Sequence, residues 1–440
     1  MCSTAARGQA PPAPVFREPV VFPALSQPFD VAAADIDLDG DLDVAVAVYN
    51  GGAGSVWVYQ NKGSANWSSS PASALKLVGM FGFSTNPPGC NIGDNGIGLR
   101  GLTFGHFEFA YHVRDAYPDI AVAVGKTPQV WYLRNSVNDP IAATKPFVSE
   151  ACQGIELANP LDTQLGIVAA DFDGDSYDDV VVGGKSTFSP GVPRLAVVWN
   201  NAVPGSDKFD ATYVDAVPFT GEGYALDLTY AGGVDSSPAT PRDVVMTSTD
   251  TDFVYVFKDG TGESINFFGR SASLKSRGIT AAPLNAGDSH WDLATSGHLP
   301  ADNDLRWLKA MGGGVFDPPS APGLYPLPQP TFPETWWAYP HSVDSGKING
   351  DNLIDVVVAN EGAFGFLGNI SIFINNGIES PLFGPRYDFY VLPPDPGPVP
   401  PTDDTGPVKA LLADLDGDGN LDIVTANLRD HTISVLINDL

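Results

Sequence analysis

This sequence predicts an all-β fold: a seven-bladed β-propeller of four-stranded blades, its ring closed by an N-terminal strand that joins the last blade. Three observations lead there: a motif that returns seven times, short apolar runs around every copy, and chain ends that complement each other. The motif is an Asp followed at once by an apolar, largely β-branched run. It stands at Asp43–Val48, Asp119–Val124, Asp179–Gly184, Asp243–Ser248, Asp292–Gly297, Asp355–Asn360 and Asp422–Asn427. The intervals between these aspartates are 76, 60, 64, 49, 63 and 67 residues. Self-similarity at such a period marks an array of supersecondary units, each burying its faces against its neighbours.

Each copy is followed by a second apolar stretch that ends in a polar turn. These are Ser55–Asn61, Gln129–Asn135, Leu195–Asn201, Phe253–Asp259, Ile370–Asn376 and Ile433–Asp439, with a weaker one near Leu305–Leu308. A short apolar segment precedes each marker Asp, as in Val31–Ala34 and Gly166–Ala170, and an outer stretch such as Tyr387–Leu392 completes the unit. The runs are too short for helices and rich in strand formers. Four short strands repeated radially make propeller blades. The last repeat stops after its third strand at Leu440, whereas the first begins with a surplus strand, Pro14–Pro23. Joining the two removes exposed strand edges, which otherwise invite aggregation.

By length alone, 440 residues suggest two or three domains. The repeats argue instead for a flexible tail over 1–13 and a single propeller over 14–440. Hydrophobic residues at 43% and aromatics at 10% suffice for a large core. The 52 Asp and Glu against 23 Lys and Arg leave a net charge of −29, which repels phosphate backbones and argues against nucleic acid. Divalent cations are attracted. No apolar run is long enough for a transmembrane helix.

The acidic residues are clustered. Three repeats place a dense carboxylate loop just before the marker Asp: Asp35, Asp37, Asp39, Asp41 and Asp43; Asp171, Asp173, Asp175, Tyr177 and Asp179; and Asp414, Asp416, Asp418, Asn420 and Asp422. Counted from the first Asp, carboxylates recur at positions 1, 3, 5 and 9 of each loop. Alternate side chains converge in a tight turn, and hard oxygen ligands at this density suit Ca²⁺, with the carbonyl of Asp41, Tyr177 or Asn420 as a further ligand. About three structural calcium ions are expected. An EF-hand would need Glu at position 12, where Val46, Val182 and Thr425 stand, so each loop joins strands rather than helices. Four carboxylates in nine residues without a cation repel one another. In a fourth repeat Lys347 replaces the first carboxylate, and no metal is expected there.

These loops and repeats resemble the FG-GAP/VCBS family, whose members include integrin-α-like propellers, over roughly residues 14 to 440. Phe81-Gly82 and Phe104-Gly105 fit the phenylalanine-glycine part of that signature loosely. The resemblance implies a calcium-stabilised extracellular, secreted or cell-surface module for binding or adhesion, with a glycan or a protein as ligand. Its calcium loops would pin a turn on one rim. Two alternatives stand beside it: a calcium-dependent polysaccharide lyase or hydrolase with its site in the central funnel, and a structural surface scaffold. The six His occur at no catalytic or zinc spacing, and no nucleophile elbow is present, so no catalytic residue is assigned. The aromatic segment Trp336, Trp337 and Tyr339 is a candidate ligand platform or a buried outer strand. Cys90 and Cys152 could pair in an oxidising compartment, leaving Cys2 over, or all three could be unpaired. Met1-Cys2-Ser3 resembles a mature lipoprotein anchor behind an added Met, or is the start of a floppy terminus.

Overall fold

In the computed structural model the described residues are 11–49, 54–82, 98–107, 116–124, 129–135, 147–148, 155–156, 161–186, 193–200, 209–215, 225–231, 243–248, 254–258, 263–267, 276–285, 290–297, 304–311, 316–317, 324–327, 339–362, 368–378, 381–393 and 406–440. They form seven separate antiparallel sheets arranged in a ring. Blade one is Gln27–Ala34, Asp43–Tyr49, Gly54–Asn61 and Leu75–Gly82. Blades three, four and six repeat this four-stranded meander. Every marker Asp is the first residue of a second strand, which is where the repeat predicts it.

The ring closes as expected. Val20–Pro23 pairs antiparallel with the last strand, Val20 opposite Val435 and Pro23 opposite Thr432. An isolated bridge between Phe16 and Asn438 extends the contact. Blade seven is thus three C-terminal strands, Pro407–Ala413, Asp422–Asn427 and Thr432–Leu436, completed from the other end of the chain.

Seven hydrophobic clusters each sit between two adjacent blades. The pleat explains this, because alternate side chains leave a strand on opposite faces. Val44, Val46 and Val48 pack toward blade seven, while Ala45 and Ala47 pack toward blade two. A second strand is therefore buried on both faces, and its sequence is continuously apolar instead of alternating. Close approach is used too: a Cβ on Gly278 would meet the Ser342 backbone at 2.7 Å, so blades five and six demand glycine there.

Some details differ from expectation. The outer position of blade two holds two short pieces, Phe147–Val148 and Ile155–Glu156, and that of blade five holds Phe316–Asp317 and Leu324–Pro326. A six-residue helix, Ser64–Ser69, and the 3₁₀ turn Pro71–Ser73 interrupt blade one. Sequence reading missed them because Trp67 supplies the reason: its ring is fully buried beside Phe22, and its Nε1 donates to Asn61 Oδ1 at 3.0 Å. No helix among the described residues is long and apolar enough to cross a membrane.

Every inner strand carries a register irregularity near its start, as between Pro28 and Asp30 or between Leu99 and Gly101. The extra residue turns out of the ladder.

Phe22 is only 4% exposed and lies in the cluster that joins blade seven to blade one. Phe22→Ala is expected to cost about 3–5 kcal/mol in urea unfolding. A cost below about 1 kcal/mol would contradict closure by this strand.

Candidate functional site

The acidic turns follow the inner strands of blades one, three and seven, all on one rim. Their backbone is self-organised. In blade seven, Gly417 N–H and Gly419 N–H donate to the two oxygens of Asp414 at 2.8 and 2.9 Å, and both glycines have positive φ, 73° and 91°. In blade one the amides of Asp39 and Gly40 do the same toward Asp35, both at 3.0 Å. In blade three Gly174 and Ser176 play these parts toward Asp171. The later carboxylates accept amides two residues on, as from Asp175 to Asp173 and from Asn420 to Asp418.

Carboxylate oxygens converge in each turn. Asp35, Asp37 and Asp39 bring one oxygen each within 4.8 Å of the others, as do Asp171, Asp173 and Asp179, and Asp414, Asp416 and Asp422. Burial, and then the neighbouring carboxylates, push Asp37, Asp41, Asp175 and Asp416 above the usual range. Asp37 Oδ1 is buried with no hydrogen-bond partner. An orphaned acceptor among oxygen donors fits a hard divalent cation, so the residues present suit calcium. In the blade-six turn Lys347 is exposed, yet Asp351 N–H and Leu353 N–H still close the turn on Asn349 and Asp351.

The marker aspartates do something that spacing alone does not reveal. Asp43 accepts Ile36 N–H on one oxygen and Asn61 N–H on the other, at 3.1 and 2.7 Å. The same two bonds recur at Asp179, Asp292, Asp355 and Asp422, including blades that lack a full acidic turn. Each carboxylate ties the turn to the end of the third strand. Burial raises Asp43, Asp179 and Asp422 to about 7, and Asp355 to about 6.

Sequence reasoning also missed a second device. An Asn at the end of the third strand donates its side-chain amide to the turn of the preceding blade. Asn61 reaches Leu415 O, Asn135 reaches Ile36 O, Asn375 reaches Leu284 O and Asn438 reaches Ile348 O, each at 2.7 Å. The signal was present as Asn recurring in the polar turns after those strands.

Lys409 is a third. It lines the central channel from blade seven, 3.7 Å from Asp30 of blade one, with Asp227 and Asp344 also acting on it. Burial alone would lower its pKa, but the three carboxylates raise it above the ordinary lysine value. Those carboxylates also clasp neighbouring blades: Asp30 accepts Leu102 N–H at 2.9 Å, Asp227 accepts Ile279 N–H at 3.1 Å and Asp344 accepts Leu412 N–H at 2.9 Å.

Of the aromatic candidates, Trp336 and Trp337 lie outside the described residues, as do Cys2, Cys90 and Cys152. Tyr339 is half-buried with φ of 45°, and its carbonyl accepts Glu361 N–H at 2.9 Å. His106 packs in a loop, its amide donating to Asp178 at 2.7 Å.

Residues 347–425 match the model of the FG-GAP-like repeat. No curated protein matches the chain. Among solved structures the chain is similar to BBS1N in complex with ARL6DN, soaked with lead, at TM-score 0.53 and 10% identity over 96% of this chain and 98% of that one. The mercury-soaked form of that complex gives 0.53 and 11% over the same shares. The Chaetomium thermophilum Nup170 NTD in complex with Nup53 gives 0.52 and 9%, over 98% of this chain and 62% of that one. At these identities the likeness is one of fold.

Lys409→Ala would leave the buried Asp30 and the half-buried Asp227 and Asp344 without their cation, and is expected to cost about 1–3 kcal/mol in denaturant unfolding. Asn438→Ala, which removes the donor to the buried Ile348 carbonyl and to the part-buried Leu421 carbonyl, is expected to cost about 1–3 kcal/mol by the same measurement. Near-wild-type midpoints for both would remove these groups from the account of ring stability.

Proposed function

The chain is a seven-bladed propeller carrying an FG-GAP-like repeat, and from that footing we propose that it is a calcium-stabilised binding module working outside the cell, with a protein as its partner. The observation that carries the calcium reading is the threefold convergence of carboxylate oxygens at one place in the blade, with the buried and unsatisfied Asp37 Oδ1 among them. Asp35, Asp37, Asp39, Asp41 and Asp43 would hold one ion, Asp171, Asp173, Asp175 and Asp179 a second, and Asp414, Asp416, Asp418 and Asp422 a third. The carbonyls of Asp41, Tyr177 and Asn420 would complete the sets.

The ions' part is structural. Each would neutralise a turn whose carboxylates otherwise repel one another, fixing the rim between the first and second strands. Extracellular calcium is abundant enough to load modules of about 10⁻⁴–10⁻³ M affinity, which favours work outside the cell. A protein partner is supported by the similar structures, BBS1N and the Nup170 NTD, each of which is a complex with a protein. A carbohydrate ligand is the other outcome that the partner screen distinguishes.

Equilibrium dialysis against calcium is expected to return about three ions per chain, and about one fewer after Asp37→Asn combined with Asp39→Asn. No saturable uptake would remove the calcium reading. For the partner, the calcium-loaded chain is screened against extracellular proteins and a glycan array. Calcium-dependent retention of a defined protein supports the proposal, glycan retention redirects it to carbohydrate, and blanks on both contradict a binding role.

A further inference from the structure

The bulges at the start of the inner strands aim a set of side chains into one end of the central channel. In blades one, two, six and seven the extra residue is Phe29, Arg100, His341 and Val408, and in blade five the irregular pair is Arg277 and Gly278. Phe29, Arg100, Arg277, His341 and Val408 all line a single cavity of about 380 Å³. Because each inner strand runs from this level toward its turn, the cavity lies at the end of the channel away from the acidic rim. Bulges are used elsewhere to re-aim side chains beside binding sites, and this volume is in the range of small-molecule pockets.

The charges within it are unevenly answered. Lys409 is surrounded by Asp30, Asp227 and Asp344. The Arg100 guanidinium instead lies 4.0 Å over the ring centre of Phe29 and forms no ion pair among the described residues. Arg277 NH1 meets His341 and stands 4.0 Å from Glu361, but Glu361 is already engaged by His341 and by Arg429 at 2.9 Å. Arg277 Nε is buried with no hydrogen-bond partner. Burial lowers the pKa of both arginines, which means that each cation is held where an anion would stabilise it. Blades two and five are three steps apart around the ring of seven, so the two guanidiniums approach the cavity from opposite walls.

We propose that this end of the channel binds a small organic diacid, with one acid group at Arg100, the other at Arg277, and a short apolar body against Leu102, Ile167, Leu228 and Val408. Guanidinium forks pair with carboxylate and phosphate in two parallel bonds, so the acid groups are of either kind. In a chain of net charge −29, a site of this sort selects its anion by enclosure and geometry, since long-range attraction is absent.

The test is calorimetric titration of the full chain with glutarate, with phosphoglycolate and with uncharged glutaramide, in calcium and again in chelator. At least one acid is expected to bind while glutaramide does not, and Arg100→Gln and Arg277→Gln are each expected to weaken that acid about tenfold or more. Tighter glutarate assigns a dicarboxylate, and tighter phosphoglycolate assigns a phosphorylated acid. Arg100→Lys keeps the charge without the fork, is expected to bind at an intermediate level, and serves in place of a Gln variant that does not fold. No heat from either acid, equal binding of glutaramide, or affinity unchanged in the variants would overturn the proposal. None of these outcomes bears on the calcium turns, which lie at the other end of the channel.

Discussion

Buried carboxylate charge that has to be answered is the constraint on which this ring depends. Asp43, Asp179, Asp292, Asp355 and Asp422 are wholly inaccessible, and each is answered by backbone amides from two separate pieces of chain. Leaving a buried polar group unanswered costs about 1–3 kcal/mol, and more when the group is charged. One side chain thereby fixes a turn, the start of a second strand and the end of a third. The Asn amides then carry the same rim from blade to blade, and the Asp30, Asp227 and Asp344 clasps repeat the principle within the channel.

Three blades add several more carboxylates to this framework. The blade-six turn keeps the bonds on Asn349 and Asp351 but not the pair of amides that the first Asp accepts in the other three turns, because Lys347 stands there. What the extra aspartates introduce is charge at short range, which raises Asp37, Asp175 and Asp416 through burial and through their neighbours. The first Asp thus helps to hold the turn, and on the reading proposed above a cation would answer the charge that the carboxylates bring together.

The fold was legible because it is repetitive. The marker Asp predicted the start of the second strand in all seven blades, and the surplus Pro14–Pro23 predicted closure, although only Val20–Pro23 joins the ladder. The role of that Asp was read incompletely: position in the loop suggested a metal ligand, whereas contacts across the blade show a backbone clasp as well. The helix at Ser64–Ser69 was hidden because a single buried Trp67, not a periodic pattern, holds it. The channel could not be read at all. Arg100, Arg277, His341 and Lys409 each come from a different blade and share no local motif; only ring closure and the bulges bring them to one cavity.

Scanning calorimetry in chelator and in calcium tests the account most directly, because an ion bound only to the folded state stabilises it by about 2.7 kcal/mol per site at a hundredfold excess over Kd. The unfolding temperature is predicted to rise substantially with calcium, and the rise to shrink when the aspartates of one turn are replaced by asparagine. Superimposable curves with and without the ion would contradict the claim that the acidic turns are built around it.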